Sequence, residues 1–123
     1  MNINRIRISK EATSKLQTLK NRTGLTPNIL CRIALCYSLN EKQTPQPQGT
    51  DVAGQEFNHY TLFGENEVLY LSLLKERCLN DGLDPEKDLL DQLHAHLERG
   101  IVGVFSRVKQ IADLHHLVPT SGS

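Results

Sequence analysis

Apolar and polar residues alternate over residues 3–8, INRIRI. Ile6 and Ile8 fall on one face, Arg5 and Arg7 on the other. A period of two predicts a short strand with one apolar and one basic face. The period then changes. Ala12, Leu16 and Leu19 recur at i, i+4 and i+7, which predicts an amphipathic helix over about residues 10–22. Ser9 stands where a hydroxyl can accept from a free first-turn amide. Gly24 suits the left-handed residue that ends a helix, with Leu25 closing a hydrophobic contact behind it. Thr26 and Pro27 then restart the chain as a second helix over about 27–39, Thr as cap and Pro at the first helical position. Ile29, Leu30, Ile33, Ala34, Leu35, Cys36, Tyr37 and Leu39 point in almost every direction, with Arg32 and Ser38 as exceptions. A helix apolar all round must be buried all round. It is therefore expected to pack against another chain or an internal repeat as well as its own core.

Residues 40–55 are polar, with two prolines and two glycines, and read as a long loop. EFNHYTLFGE (56–65) predicts a strand ending at Gly64. A third helix is expected over about 65–80, with Val68, Leu69, Leu71, Leu73, Leu74 and Cys78, closed by Gly82 and Leu83. Asp84–Pro85 predicts the start of a fourth, about 85–99, with Leu89, Leu90, Leu93 and Leu97 inward. GIVGVF suggests a tight turn before a last short helix, roughly 104–117. LKNRTGLTP (19–27) is echoed by LKERCLNDGLDP (74–85). Duplication and a recurring helix-capping solution explain that echo equally well. The 123 residues are most simply one domain over 1–118, a basic strand–helix–helix unit over 1–40 and a helical remainder over 56–117, with 119–123 as a tail.

Composition changes this picture in two places. A domain with 38% apolar residues buries a modest core, so self-association is a plausible way to gain burial. A net charge of zero also hides an asymmetry. Residues 1–40 carry seven bases against Glu11 alone, a net +6, and the remainder carries −6. A basic half implies an anionic partner, nucleic acid among others. Lys15, Lys20 and Arg22 flank the apolar stripe of the first helix, while Lys10 faces further outward. No apolar run is long enough to span a membrane, and the first residues lack a signal peptide's apolar core, so the cytoplasm is expected.

Candidate chemistry is sparse. Cys31, Cys36 and Cys78 lie in apolar helical patterns, match no zinc spacing and read as core fillers. His94 and His96 are two apart on a helix and diverge, so they cannot share a metal. There is no phosphate-binding glycine loop and no nucleophile elbow. No catalytic residue, metal or cofactor is therefore expected, and a nuclease or nickase ranks last among the readings.

A basic-faced strand followed by two helices and a Gly–Leu–Thr turn has the layout of a ribbon–helix–helix module. In that module two chains pair their strands to enter a DNA groove. An ordinary helix hairpin with a solvated edge strand fits the same pattern, and the pattern alone does not decide. The expected class is mainly α, with a ribbon–helix–helix-like N-terminal unit and further helices, homo-oligomeric.

The segments NRIRISKEATSKLQTLKNRTGLTPNILCRIALCYSL, EFNHYTLFGE and LHAHLERGI together resemble the DndE family of the bacterial DNA phosphorothioation (sulfur-modification) system, over roughly residues 3–105. The resemblance implies a non-catalytic, tetrameric DNA-binding subunit that favours nicked duplex. It also implies co-operation with a cysteine desulfurase, an iron–sulfur protein and an ATPase-like partner. The family's DNA contacts are surface lysines. Carried onto the matched N-terminal segment, they indicate Arg5, Arg7, Lys10, Lys15, Lys20 and Arg22. The last segment departs from the family, so nothing carries over to Arg107 or Lys109. The alternative is a ribbon–helix–helix repressor reading an operator through Arg5 and Arg7.

Overall fold

The computed structural model describes residues 5–47 and 52–117. Residues 3 and 4 of the expected strand, and the expected tail at 119–123, lie outside the described residues. Strand β1 (Arg5–Arg7) pairs antiparallel with β2 (Glu56–Asn58), setting Ile6 opposite Phe57 and Arg7 opposite Glu56. Ile6 and Phe57 are buried while their neighbours on both strands are exposed, so the alternation read in INRIRI is a real two-faced ribbon. The partner of β1 is thus a strand of its own chain. A second chain's strand was the partner that the ribbon–helix–helix layout called for.

Helix α1 (Lys10–Thr23) begins as its sequence requires. The Ser9 hydroxyl accepts from the Ala12 amide at 3.0 Å and gives its own proton to Glu98 at 2.6 Å. Ala12, Leu16 and Leu19 are buried. Gly24, at φ 77°, is left-handed and returns its N–H to the Lys20 carbonyl. Helix α2 (Pro27–Leu39) follows with Pro27 in the first turn. Thr26 is the N-cap residue, but its hydroxyl makes no capping bond. The buried side of α2 is Leu30, Cys31, Ala34, Leu35 and Ser38. Its other side is not covered: Ile29 and Cys36 are exposed and Ile33 and Tyr37 only half-buried. Cys36, expected as a core filler, therefore stands apart from the buried Cys31 and Cys78.

The expected strand over EFNHYTLFGE is short because Asn58 interrupts it. Its side chain accepts from the Tyr60 amide at 2.8 Å and caps a single helical turn, α3 (His59–Phe63). Arg32 pins the end of that turn, donating through Nε to the Leu62 carbonyl at 2.6 Å and through Nη2 to that of Thr61 at 2.9 Å. A 3-10 turn (Gly64–Asn66) leads into α4 (Glu67–Asn80), which buries Leu74 and Cys78 but leaves Val68 and Leu69 78% and 56% exposed.

Helix α5 (Leu89–Arg107) differs from expectation at both ends. It starts four residues later than Asp84–Pro85 suggests, because the Asp84 carboxylate captures the Glu86 and Lys87 amides and holds a turn there. Leu90 is exposed, while Leu89, Leu93 and Leu97 are buried. It then runs straight through GIVGVF. The glycines are helical, and they permit close packing on α2. A Cβ on Gly100 would lie 1.9 Å from the Ala34 carbonyl oxygen, and one on Gly103 2.1 Å from the Tyr37 ring. A 3-10 segment (Ile111–Leu117) ends the described chain. Helices α1, α2 and α5, with Ile6, Ile8 and Phe57 from the ribbon, share one apolar core. Each fully buried Leu in it contributes about 1.5–3 kcal/mol.

Candidate nucleic-acid interface

The six bases named from the sequence fall into separate places on the surface. Arg5 and Arg7 project from the exposed face of the ribbon and share one carboxylate. Glu56 lies 3.4 Å from Arg5 Nη1 and 3.0 Å from Arg7 Nε. The arginine side chains are 68% and 54% exposed, so these pairs contribute at most about 1 kcal/mol each and can be exchanged for a phosphate. Lys10 and Lys20 are exposed at opposite ends of α1.

Lys15 and Arg22 lie seven residues apart on α1 and therefore on one side of it. That side meets the C-terminal end of α5. The Arg22 guanidinium lies 4.8 Å from the centroid of the Phe105 ring and Lys15 Nζ 5.3 Å from it. Lys109 Nζ, just beyond α5, completes the group at 5.7 Å. Two effects bring three like charges together. A cation over an aromatic face gains about 0.5–1 kcal/mol at an exposed site. The C-terminal end of a helix adds about 0.3–1 kcal/mol for a cation, and Arg22 Nη1 reaches the carbonyls of Phe105 and Val108 at 3.4 and 3.5 Å. In water the repulsion between two unit charges is only about 0.7 kcal/mol even at a separation of about 6 Å. Two acids stand nearby. Glu11 pairs with Lys15 at 2.8 Å, and Asp113 accepts from the backbone amides of Lys109 and Gln110. Among the described residues, three cations against these two carboxylates leave the group positive.

Lys109 was set aside because the last segment departs from the family, and reading GIVGVF as a turn left Phe105 unplaced. Once the helix continues to Arg107, Phe105 lies beside α1. The usable signal was in FSRVKQ, an aromatic followed by two bases at a helix end.

A second feature is apolar. Ile29, Ile33 and Tyr37 of α2, Tyr70 of α4, and Leu114 and Leu117 line an open groove of about 460 Å³. Cys36, though exposed, lies on its wall, and partial loss of water there raises its thiol above the ordinary range. Burial, with the Glu98 carboxylate, pushes Cys31 up to about 12. Cys78 is raised by burial and by Asp88 and Asp81, against Arg77. Raised thiols are poor nucleophiles and poor ligands at neutral pH.

The histidines are dispersed. His59 meets Glu67, His94 lies 3.8 Å from Glu98, and His96 is fully buried against Ser38. Among the described residues no three His, Cys, Asp or Glu side chains group closely enough to hold a metal. No helix among them is long and apolar enough to cross a membrane.

The crystal structure of DndE from Escherichia coli B7A, a protein involved in DNA phosphorothioation modification, is 30% identical, with a TM-score of 0.68. The match covers 82% of this chain and 97% of that one. A DndE variant carrying glycine-to-lysine substitutions, also involved in DNA phosphorothioation, is 26% identical, with a TM-score of 0.68 and coverage of 85% and 99%. No curated protein matches the chain. The family model for the DNA sulphur modification protein DndE matches residues 5–111, from the basic ribbon to just beyond Lys109, and the chain belongs to the DndE family.

Proposed function

We propose that this protein is a non-catalytic DNA-binding subunit of the phosphorothioation machinery. It holds duplex DNA through Arg5, Arg7, Lys10, Lys15, Lys20 and Arg22 and favours nicked sites. It works in the cytoplasm as a homotetramer, beside a cysteine desulfurase, an iron–sulfur protein and an ATPase-like partner. One observation carries the reading in a chain of this family: of six bases within the first 22 residues, Arg5, Arg7, Lys10 and Lys20 are exposed and Lys15 and Arg22 half-buried, with Arg5 and Arg7 sharing Glu56 and Lys15 meeting Glu11. Lys and Arg neutralising phosphates supply affinity with little sequence information. A nick interrupts one backbone and makes bending cheap, so a curved multi-subunit surface gains contacts at less deformation cost. The raised thiols fit a subunit that carries no sulfur itself.

The repressor reading has less support. One edge of β1 is already taken by β2 of its own chain, and the outward arginines that would read bases are bonded to Glu56.

Fluorescence anisotropy on random-sequence duplexes, intact and nicked, tests the proposal. Nicked DNA should bind more tightly, with a steep salt dependence. Lys15→Ala with Lys20→Ala should lower the log–log slope by nearly two, at about 0.9 per lost phosphate contact. Binding confined to one operator sequence would favour the repressor, and metal-dependent cleavage would favour a nuclease. Equal affinity for intact and nicked duplex would remove the nick preference.

The tetramer has its own test. Ile33 is half-buried at the open groove of α2. A carboxylate there stays wet in a lone subunit but costs several kcal/mol beneath a second copy. Ile33→Asp should therefore sediment as a folded, smaller species. An unchanged assembly would take the α2 groove out of the interface.

A further inference from the structure

We propose that Lys15, Arg22 and Lys109, gathered on Phe105, form a single phosphate-binding site, in which Lys109 is a direct ligand and Phe105 the positioning residue. This deepens the DNA-binding reading and rests on it. It adds residues from the C-terminal side of α5 that the N-terminal basic unit does not contain.

The three cations come from two distant parts of the chain and converge on one ring. They also retain unused donors. An ammonium has three N–H groups and a guanidinium five. Lys15 commits one to Glu11. Arg22 commits Nη1, at the long distances of 3.4 and 3.5 Å. A phosphate presents two or three anionic oxygens, which suits several cationic donors approaching from different directions. The ring does what a carboxylate in the same place would not. It holds the cations near one another without neutralising them. Lys109 is exposed and Lys15, Arg22 and Phe105 are half-buried at the surface, a shallow position that suits the phosphodiester of a long polymer. A free phosphate ion has the same chemistry, so the two sources need separate arms.

The experiment uses the full chain, with NMR signals of the Phe105 ring and the Lys109 side chain followed during two titrations. One ligand is a short random-sequence duplex and the other is inorganic phosphate, each against chloride at matched ionic strength. In parallel, the salt dependence of duplex binding is measured for Lys109→Ala, Lys109→Arg and Lys75→Ala. Lys75 is an exposed lysine on α4. The expected result is that duplex moves both signals and that Lys109→Ala lowers the log–log slope by about 0.9. Lys109→Arg should restore it, and Lys75→Ala should leave it unchanged. Phe105→Leu, folded by circular dichroism, should weaken duplex binding several-fold with all three charges still present.

If duplex binds but neither signal moves and Lys109→Ala behaves as Lys75→Ala does, the site is wrong and the DNA-binding reading stands. If phosphate moves the signals and no duplex binds, the site stands for a small phosphate ligand and the DNA-binding reading fails. If phosphate moves them while duplex binds without moving them, the site as a DNA contact is wrong and the DNA-binding reading stands. If neither ligand moves them, and no duplex binds, both fail.

Discussion

Gly100→Ala is expected to destabilise the protein by about 2 kcal/mol or more, although Ala is the better helix former by about 1 kcal/mol. Gly100 is buried on α5 where that helix crosses α2. The new methyl carbon would lie 1.9 Å from the Ala34 carbonyl oxygen and 2.5 Å from its carbonyl carbon. Both are backbone atoms, so no side chain can turn aside. Relief requires α2 to move off α5 as a body, and with it the packing of Leu30, Leu35, Leu97 and Ile101. Overpacking a closed core costs about 1–3 kcal/mol, and more where backbone must shift. The melting temperature should fall by roughly 10 °C in a thermal scan followed by circular dichroism. Gly103→Ala is the internal comparison. Its methyl would meet the Tyr37 ring, which is half-buried at the edge of an open groove and can swing outward. That variant should lose much less. Equal melting temperatures for wild type and Gly100→Ala would mean that the two helices do not approach this closely.

The same glycines explain where the sequence could be read and where it could not. Ser9, Gly24 and Pro27 act within one turn of themselves, so the ends of α1 and the start of α2 follow from local chemistry. The stripe Ala12, Leu16, Leu19 is likewise a property of one helix and is buried as read. Gly100 and Gly103 are different. A glycine that opens a turn and one that admits a neighbouring backbone look alike until the neighbour is known. Reading them as a turn cut α5 short and hid the approach of Phe105 to α1, while Lys109 was set aside because its segment departs from the family. The EFNHYTLFGE segment failed for a related reason. Asn58 is as compatible with a strand end as with a cap, and the choice lies in Arg32 gathering the Leu62 and Thr61 carbonyls from another helix. The all-round apolar pattern of α2 called for burial on every side, against another chain or an internal repeat as well as its own core. The α5 side of α2 is buried within the chain, and its Ile29–Ile33 side faces an open groove.

The second large effect belongs to His96, which no sequence pattern separates from its neighbour His94. His96 is 0% exposed, and its Nδ1 lies 2.8 Å from the Ser38 hydroxyl oxygen. That oxygen already accepts from Arg99 Nε at 2.8 Å. The Ser38 hydroxyl thus links Arg99 to Nδ1, while Nε2 has no partner among the described residues. Burial, then the guanidinium groups of Arg99 and Arg77, outweigh the opposite pull of Asp81 and lower the ring's pKa from 6.5 to about 4. The sign of the effect follows. Above pH 6.5 the ring is neutral folded or unfolded and does not bias the equilibrium. Between pH 6.5 and about 4 the unfolded chain takes up a proton that the folded chain refuses, so stability falls as pH falls. Below about 4 both forms are protonated and the loss is complete. The total is on the order of 3 kcal/mol, at about 1.4 kcal/mol per pH unit inside the window. Urea midpoints measured across that window should show the slope, and His96→Asn, which keeps an acceptor near Ser38 but cannot titrate there, should flatten it at some cost near neutrality. A wild-type profile as flat as the variant's would mean that the ring reaches solvent. The loop after α2 should report the same event first. Arg99 bonds the Gln43 carbonyl at 2.6 Å, and Arg77 bonds the same oxygen at 2.8 Å and the Leu39 carbonyl at 2.9 Å. A proton on His96 would face Arg99 across Ser38 and push on the bonds that tie the loop to α5. Amide exchange at residues 39–43 should therefore accelerate on acidification before the helices themselves open.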